Sequence, residues 1–215
     1  MKRLLLIAIA LVFGFLLAGG AWYYSKLNTG KSRSVHKNVS AFPSAELITR
    51  LHAHANPLII YAKQHGYNTN TCFLIDMRIE SGKNRFFVFD LQKDSITDAG
   101  LVAHGSCNQN WLNGRQYGNK PGCGCSSLGK YKVGYPYKGK FGTAYKLFGL
   151  DSTNSNAFKR AVVLHSYQCV PDEEVHPLPI CQSLGCPMVS PAFMNKLAGI
   201  ITASPKPILL YTFDN

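Results

Sequence analysis

Thr71-Cys72-Phe73-Leu74-Ile75-Asp76-Met77-Arg78-Ile79, the turn Ser81-Gly82-Lys83-Asn84, and Arg85-Phe86-Phe87-Val88-Phe89-Asp90-Leu91 form the stretch that decides the fold class. Two short apolar runs flank a polar, glycine-containing turn, which is the pattern of a β-hairpin. Gly100 to His104, Tyr131 to Val133, Ala161 to His165 and Ile208 to Thr212 read as further strands, and Ser106 to Tyr131 as a loop rich in Gly, Asn, Cys and Ser. Ser190 and Pro191 read as the cap and first turn of a helix through Leu197. Many short strands with few helices predict a mainly β domain, sandwich-like or barrel-like, over residues 71–215.

Upstream of the hairpin the pattern is helical. Leu47, Ile48, Leu51 and Ala55 fall at helical spacing, and Asn56-Pro57 is expected to start a second helix that stops at Gly66, so residues 44–70 form a helical lead-in. Residues 25–43, with Lys26, Lys31, Arg33 and Lys37 among Ser, Asn and Gly, have no apolar period and read as a flexible basic linker. Before that, Met1-Lys2-Arg3 precedes an almost uncharged run from Leu4 to Tyr24 with Trp22, Tyr23 and Tyr24 at its outer end. Residues 1–24 thus read as an export signal or a membrane anchor, and the rest of the chain is expected on the far side of the membrane. Small residues at Ala18 to Ala21 suit cleavage; the aromatic cluster suits an anchor.

The formal net charge is +12, and +10 without Lys2 and Arg3. Outside the membrane such a charge fits an anionic envelope surface. Nucleic acid is excluded as a partner by location and by the lack of a Lys/Arg cluster interleaved with aromatics. The exported part is the size of one domain, read as a monomer, and no cofactor is called for.

Seven cysteines are an odd number, so an oxidising compartment leaves at least one thiol unpaired or bridged to another molecule. Cys186 sits in Ser183-Leu184-Gly185-Cys186-Pro187, where Gly185 and Pro187 favour a sharp turn whose backbone N–H groups face a developing oxyanion. His165 lies twenty-one positions upstream, at the end of an apolar strand that opens into a loop. A thiol beside a base is the equipment for acyl transfer. His104 also ends an apolar strand and is the rival base. Cys123-Gly124-Cys125 are too close to bridge each other easily, so each looks to a distant partner such as Cys107 or Cys72. Their spacing also speaks against zinc, so no metal is expected. Cys169 and Cys181 bracket the loop between His165 and Cys186, where a disulfide would hold base and nucleophile in register.

The order His165, loop, Ser183-x-Gly185-Cys186, helix, closing strand resembles the YkuD-type L,D-transpeptidases of bacterial peptidoglycan, in particular their diverged murein L,D-transpeptidase branch. His104-Gly105-Ser106, Ser126-Ser127-Leu128-Gly129-Lys130-Tyr131, Leu147-Phe148-Gly149-Leu150, Asn154, Asn156-Ala157 and Arg160 match that branch too, so the likeness runs from about Thr71 to Thr212. The resemblance implies a β-sandwich-like catalytic domain in the periplasm or envelope. It implies Cys186 as nucleophile, His165 as base, the backbone N–H groups of Gly185 and Cys186 as oxyanion donors, Ser166 as the carbonyl that orients the imidazole, and Ser183, His104 and Ser127 against substrate. Its substrates are tetrapeptide stems, cut between the third, diamino residue and a terminal D-alanine. The common family pattern has His between Ser and Gly and Arg soon after Cys; this chain has Leu184 and Pro187-Met188. Stem recognition by that arginine therefore does not carry over. A hydrolase using the same pair, or a wall-binding domain without catalysis, are the alternatives.

Overall fold

The 71–91 hairpin forms β1 (Thr71–Asp76) and β2 (Phe86–Asp90), paired antiparallel, in a computed structural model that describes residues 44–109 and 114–215 together with Gly14, Gly19, Gly20, Trp22 and Tyr23. The remaining strands are β3 (Ser95–Gly100), β4 (Val102–Ala103), β5 (Gly129–Gly139), β6 (Gly142–Gly149), β7 (Val163–Ser166), β8 (Met188–Val189) and β9 (Leu209–Phe213). They make one nine-stranded sheet in the order β3-β2-β1-β9-β5-β6-β7-β8-β4. Its two edge strands, β3 and β4, are separated in sequence by Leu101 alone, so the sheet curls until it is nearly closed. The mainly β expectation holds.

The strands have two buried faces, and side-chain alternation sorts them. Phe73, Ile75, Phe86, Val88 and Leu210 join one core with Phe193, Met194 and Leu197 of α2 (Pro191–Ala203). Cys72, Leu74, Phe87, Phe89, Leu209 and Phe213 join the other with Leu51, Ala55, Leu58 and Ala62 of α1 (Ala45–His65). Helix α2 begins where Ser190 predicts, with Ser190 Oγ accepting from the Phe193 N–H at 3.1 Å and Pro191 following.

Three expectations are corrected. The lead-in is one 21-residue helix rather than two, with Pro57 inside it. Leu51, Ala55, Leu58 and Ala62 form a single buried stripe that runs through the proline, and burial along that stripe offsets the lost backbone hydrogen bond. The run Gly100 to His104 is split between β3 and β4, and β3 itself, polar and at an edge, lacks an apolar signal. Strand β5 reaches Gly139 and pairs with β6, although residues beyond Val133 are largely exposed. The signal or anchor over residues 1–24 and the linker over 25–43 fall outside the described residues apart from those five named. Among the described residues no helix is long and apolar enough to cross a membrane.

Candidate active site

His165 and Cys186 are brought together by strand register. Parallel pairing of β7 with β8 sets His165 opposite Met188, and the His165 N–H donates to the Pro187 carbonyl at 3.4 Å. A separation of twenty-one residues along the chain thus becomes adjacency of segments, with Cys186 two residues before the Met188 that faces His165. Both side chains line one cleft of about 590 Å³ with Ser183, Leu184, Phe141 and Tyr167.

Each ring nitrogen of His165 has its own setting. Nδ1 is 3.0 Å from the carbonyl oxygen of Ser166, which makes Nδ1 the protonated donor and leaves Nε2 as the basic nitrogen. Phe141 stacks on the ring at 5.3 Å between centroids and meets Tyr167 edge-on. Burial pushes the imidazole below its ordinary pKa, opposed by the Ser166 carbonyl, so His165 is neutral at pH 7 and able to take a proton. Burial likewise pushes the Cys186 thiol up, opposed by a backbone hydrogen bond at Val163 and by the charge of Arg160. The resting cleft therefore holds a neutral thiol, its Sγ 3.9 Å from Ala161 O, and a neutral imidazole, an arrangement that needs base assistance at the moment of attack.

The turn carrying Cys186 is built on Gly185, whose φ is 117°. A Cβ there would lie 2.6 Å from the Cys125 carbonyl oxygen and 3.0 Å from Arg160 Nη2, so only glycine fits. The Gly185 N–H is already given to Ser183 Oγ at 3.0 Å, which departs from its expected place as an oxyanion donor. Among the described residues the Cys186 N–H has no backbone acceptor. Arg160 supports the turn from behind: its Nη1 donates to Gly118 O at 2.8 Å and to Ser127 Oγ at 2.5 Å, and its Nη2 to Cys125 O. Its place in the sequence, shortly before the His165 strand, carries no sign of this bracing.

The other expected site residues disperse. Ser183 lines the cleft and braces Gly185. Ser127 is 3 % exposed, its hydroxyl shared between Gly118 O and Arg160, so it belongs to the scaffold and not to the cleft. His104 lies in a second cleft, away from the His165 and Cys186 lining, so only His165 of the two rival bases shares a cleft with the thiol. Phe141, at the tip of the β5–β6 hairpin, is the contact that sequence missed, because nothing local says where a hairpin tip folds.

Cys169–Cys181 and Cys107–Cys125 are disulfides, while Cys72, Cys123 and Cys186 are free thiols. Cys72 is buried in β1 and Cys123 borders the second bridge, leaving Cys186 as the free thiol facing the cleft. Among the described residues no group of three or more His, Cys, Asp or Glu side chains is placed to hold a metal.

The L,D-transpeptidase catalytic domain family matches residues 47–211. No curated protein matches the chain. Among solved structures it is similar to the helical cell shape determining protein Pgp2 from Campylobacter jejuni. The match to a point mutant of Pgp2 has 12% identity over 76% of this chain and 56% of that one, with a TM-score of 0.45. A second Pgp2 structure gives 12% identity over 67% and 48%, with a TM-score of 0.43, so this chain spans about half the length of those proteins. An L,D-transpeptidase from Xylanimonas cellulosilytica DSM 15894 matches at 14% identity over 72% of this chain and 68% of that one, with a TM-score of 0.36.

Proposed function

This chain belongs to the L,D-transpeptidase catalytic domain family, and on that premise we propose that it is a cysteine acyltransferase acting on the tetrapeptide stems of peptidoglycan in the bacterial envelope. The observation that supports this reading is the shared cleft, lined by a neutral imidazole whose Nδ1 is held by Ser166 O and by a free thiol, with His165 facing Met188, two residues after Cys186, in the β7–β8 pairing. The disulfides fit an oxidising compartment.

The chemistry runs in two halves. Cys186 Sγ attacks the carbonyl carbon between the third, diamino residue and the terminal D-alanine while its proton passes to His165 Nε2. The tetrahedral oxyanion is met by the Cys186 N–H; loss of one such donor typically costs about 10²–10³ in rate. Collapse breaks the C–N bond, His165 returns the proton to the departing D-alanine nitrogen, and a thioester remains on Cys186. In the second half an amine from another stem gives its proton to His165, attacks the thioester and releases the thiol, forming a 3–3 crosslink. Water in the amine's place gives hydrolysis.

Incubation of the full chain with tetrapeptide muropeptides, read by intact-protein and product mass, tests this. The expected result is an acyl adduct with D-alanine release in the wild type, none in Cys186→Ala, and a loss of about 10²–10⁴ in acylation rate in His165→Gln. Absence of adduct and turnover, with wall binding equal in wild type and Cys186→Ala, would replace this reading with a binding domain.

A further inference from the structure

The second cleft, about 690 Å³, is lined by Glu80, His104, Arg115, Leu178 and Gln182 among others. Behind it two guanidinium groups converge on a single backbone oxygen. Ile79 O accepts from Arg85 Nη1 at 3.2 Å and from Arg115 Nη1 at 2.6 Å. Arg85, 0 % exposed, also donates to Val102 O from Nε at 3.0 Å and from Nη2 at 2.7 Å. Arg115 Nη2 donates to Arg78 O at 3.2 Å.

Among the described residues neither guanidinium has an ion-pair partner: the acidic groups are committed elsewhere, with Asp76 on Arg50 and Glu80 on Lys83 and His176. Asp214 and Asp76 favour the Arg85 charge only weakly, against burial and the like charge of Arg115. Two like charges held together without a counter-ion are costly, and an anion entering from the cleft would relieve them.

His104 completes the wall. Its Nδ1 accepts from Arg85 Nη2 at 2.9 Å, which fixes the ring as the Nε2–H tautomer. The residue is 7 % exposed and lines the cleft, and its ring makes no second hydrogen bond among the described residues. Burial and the two arginines hold the imidazole down at a pKa of about 4, so it stays a neutral donor at working pH. A fixed N–H and a fixed guanidinium fork with N–H groups to spare are a carboxylate's partners.

This cleft adjoins the one that holds Cys186, with Gln182 in the lining of both. His104 O accepts from the Ser183 N–H at 2.8 Å, and Gly105 bridges Ser183. We propose that His104 and Arg115, backed by Arg85, form a subsite that binds a free carboxylate of the stem peptide whose scissile bond lies at Cys186. It would serve in place of the arginine that this chain lacks after its cysteine. The proposal rests on the stem-peptide reading above and deepens it.

The test titrates the full-length Cys186→Ala protein with a stem tetrapeptide carrying free carboxyl groups, and with the same peptide amidated at one carboxyl at a time, by calorimetry. Amidation of the recognised carboxyl is expected to weaken binding tenfold or more, and less than twofold in the Arg115→Gln background; the singly amidated peptides show whether the D-alanine or the diamino-acid carboxyl is bound. An equal amidation penalty with and without Arg115, or no peptide binding at all, overturns the subsite. Should Arg115→Gln not fold, the His104 Nε2–H resonance of the Cys186→Ala protein is followed instead: it shifts with the free peptide and not with the amidated one if the proposal holds, and its indifference to both overturns it. Acyl-adduct formation on the wild-type protein reports separately on the catalytic reading, so the two can fail apart.

Discussion

Gly185 is the residue on which the nucleophile's position depends most directly. Its positive φ and the 2.6 Å approach of Cys125 O to any Cβ leave no room for a side chain. Gly185→Ala is expected to lose on the order of 3 kcal/mol of stability in a urea melt, from backbone strain and overpacking together. It should also slow acylation about 10²-fold, the cost of a small misplacement of a reacting atom. Gly199, in α2 with nothing within 4 Å of its would-be Cβ, is the contrast: Gly199→Ala should stabilise by about 0.5–1 kcal/mol. A Gly185→Ala protein as stable and as active as wild type would remove the geometric argument. The glycine beside the cysteine was legible in sequence; that an arginine side chain and a carbonyl from residues 160 and 125 press against it was not, since neither is near it along the chain.

The loop from Tyr167 to Pro187 is the element that separates base from nucleophile, and the Cys169–Cys181 disulfide closes a 12-residue separation within it. Tyr167, Gln182, Ser183 and Leu184 from this loop line the catalytic cleft. Cys169→Ser with Cys181→Ser is expected to cost about 3 kcal/mol by loss of the constraint on the unfolded chain. It should also raise KM more than it lowers kcat, because the register of His165 with Met188 belongs to the sheet and not to the loop. An unchanged KM would mean that the loop holds its shape without the bridge. The pairing of these cysteines was one expectation among several; the β5–β6 hairpin that brings Phe141 onto His165 had only its first few residues visible as a strand, because its outer half is exposed and interrupted by Gly134 and Pro136.

For the molecule as a whole, two buried histidines tie stability to pH. His104 and His165 both have folded pKa values below the ordinary 6.5, so the unfolded chain binds protons more readily than the folded one in acid. Their effect is absent above about pH 6.5 and grows as pH falls, for His104 down to about 4, where its contribution is on the order of 3 kcal/mol. Urea midpoints at pH 7 and pH 4.5 should therefore differ less in His104→Gln than in wild type; equal differences would place His104 outside the acid response. Acylation should fall on the same side, as His165 becomes protonated below its burial-lowered pKa and can no longer accept the thiol proton.

By itself the sequence determined the β-rich class, the family likeness and an odd thiol in a glycine turn downstream of a strand-end histidine, because strand runs, caps and turn residues act through their immediate neighbours. Only the tertiary structure decided that His165 and not His104 shares the thiol's cleft, that Ser127 is scaffold, that α1 runs unbroken through Pro57, and that Arg115 at a cleft and the buried Arg85 behind it meet on one carbonyl with no ion-pair partner among the described residues. Those outcomes arise from ladder register, burial and charge between segments far apart in the chain, none of which has a local signature.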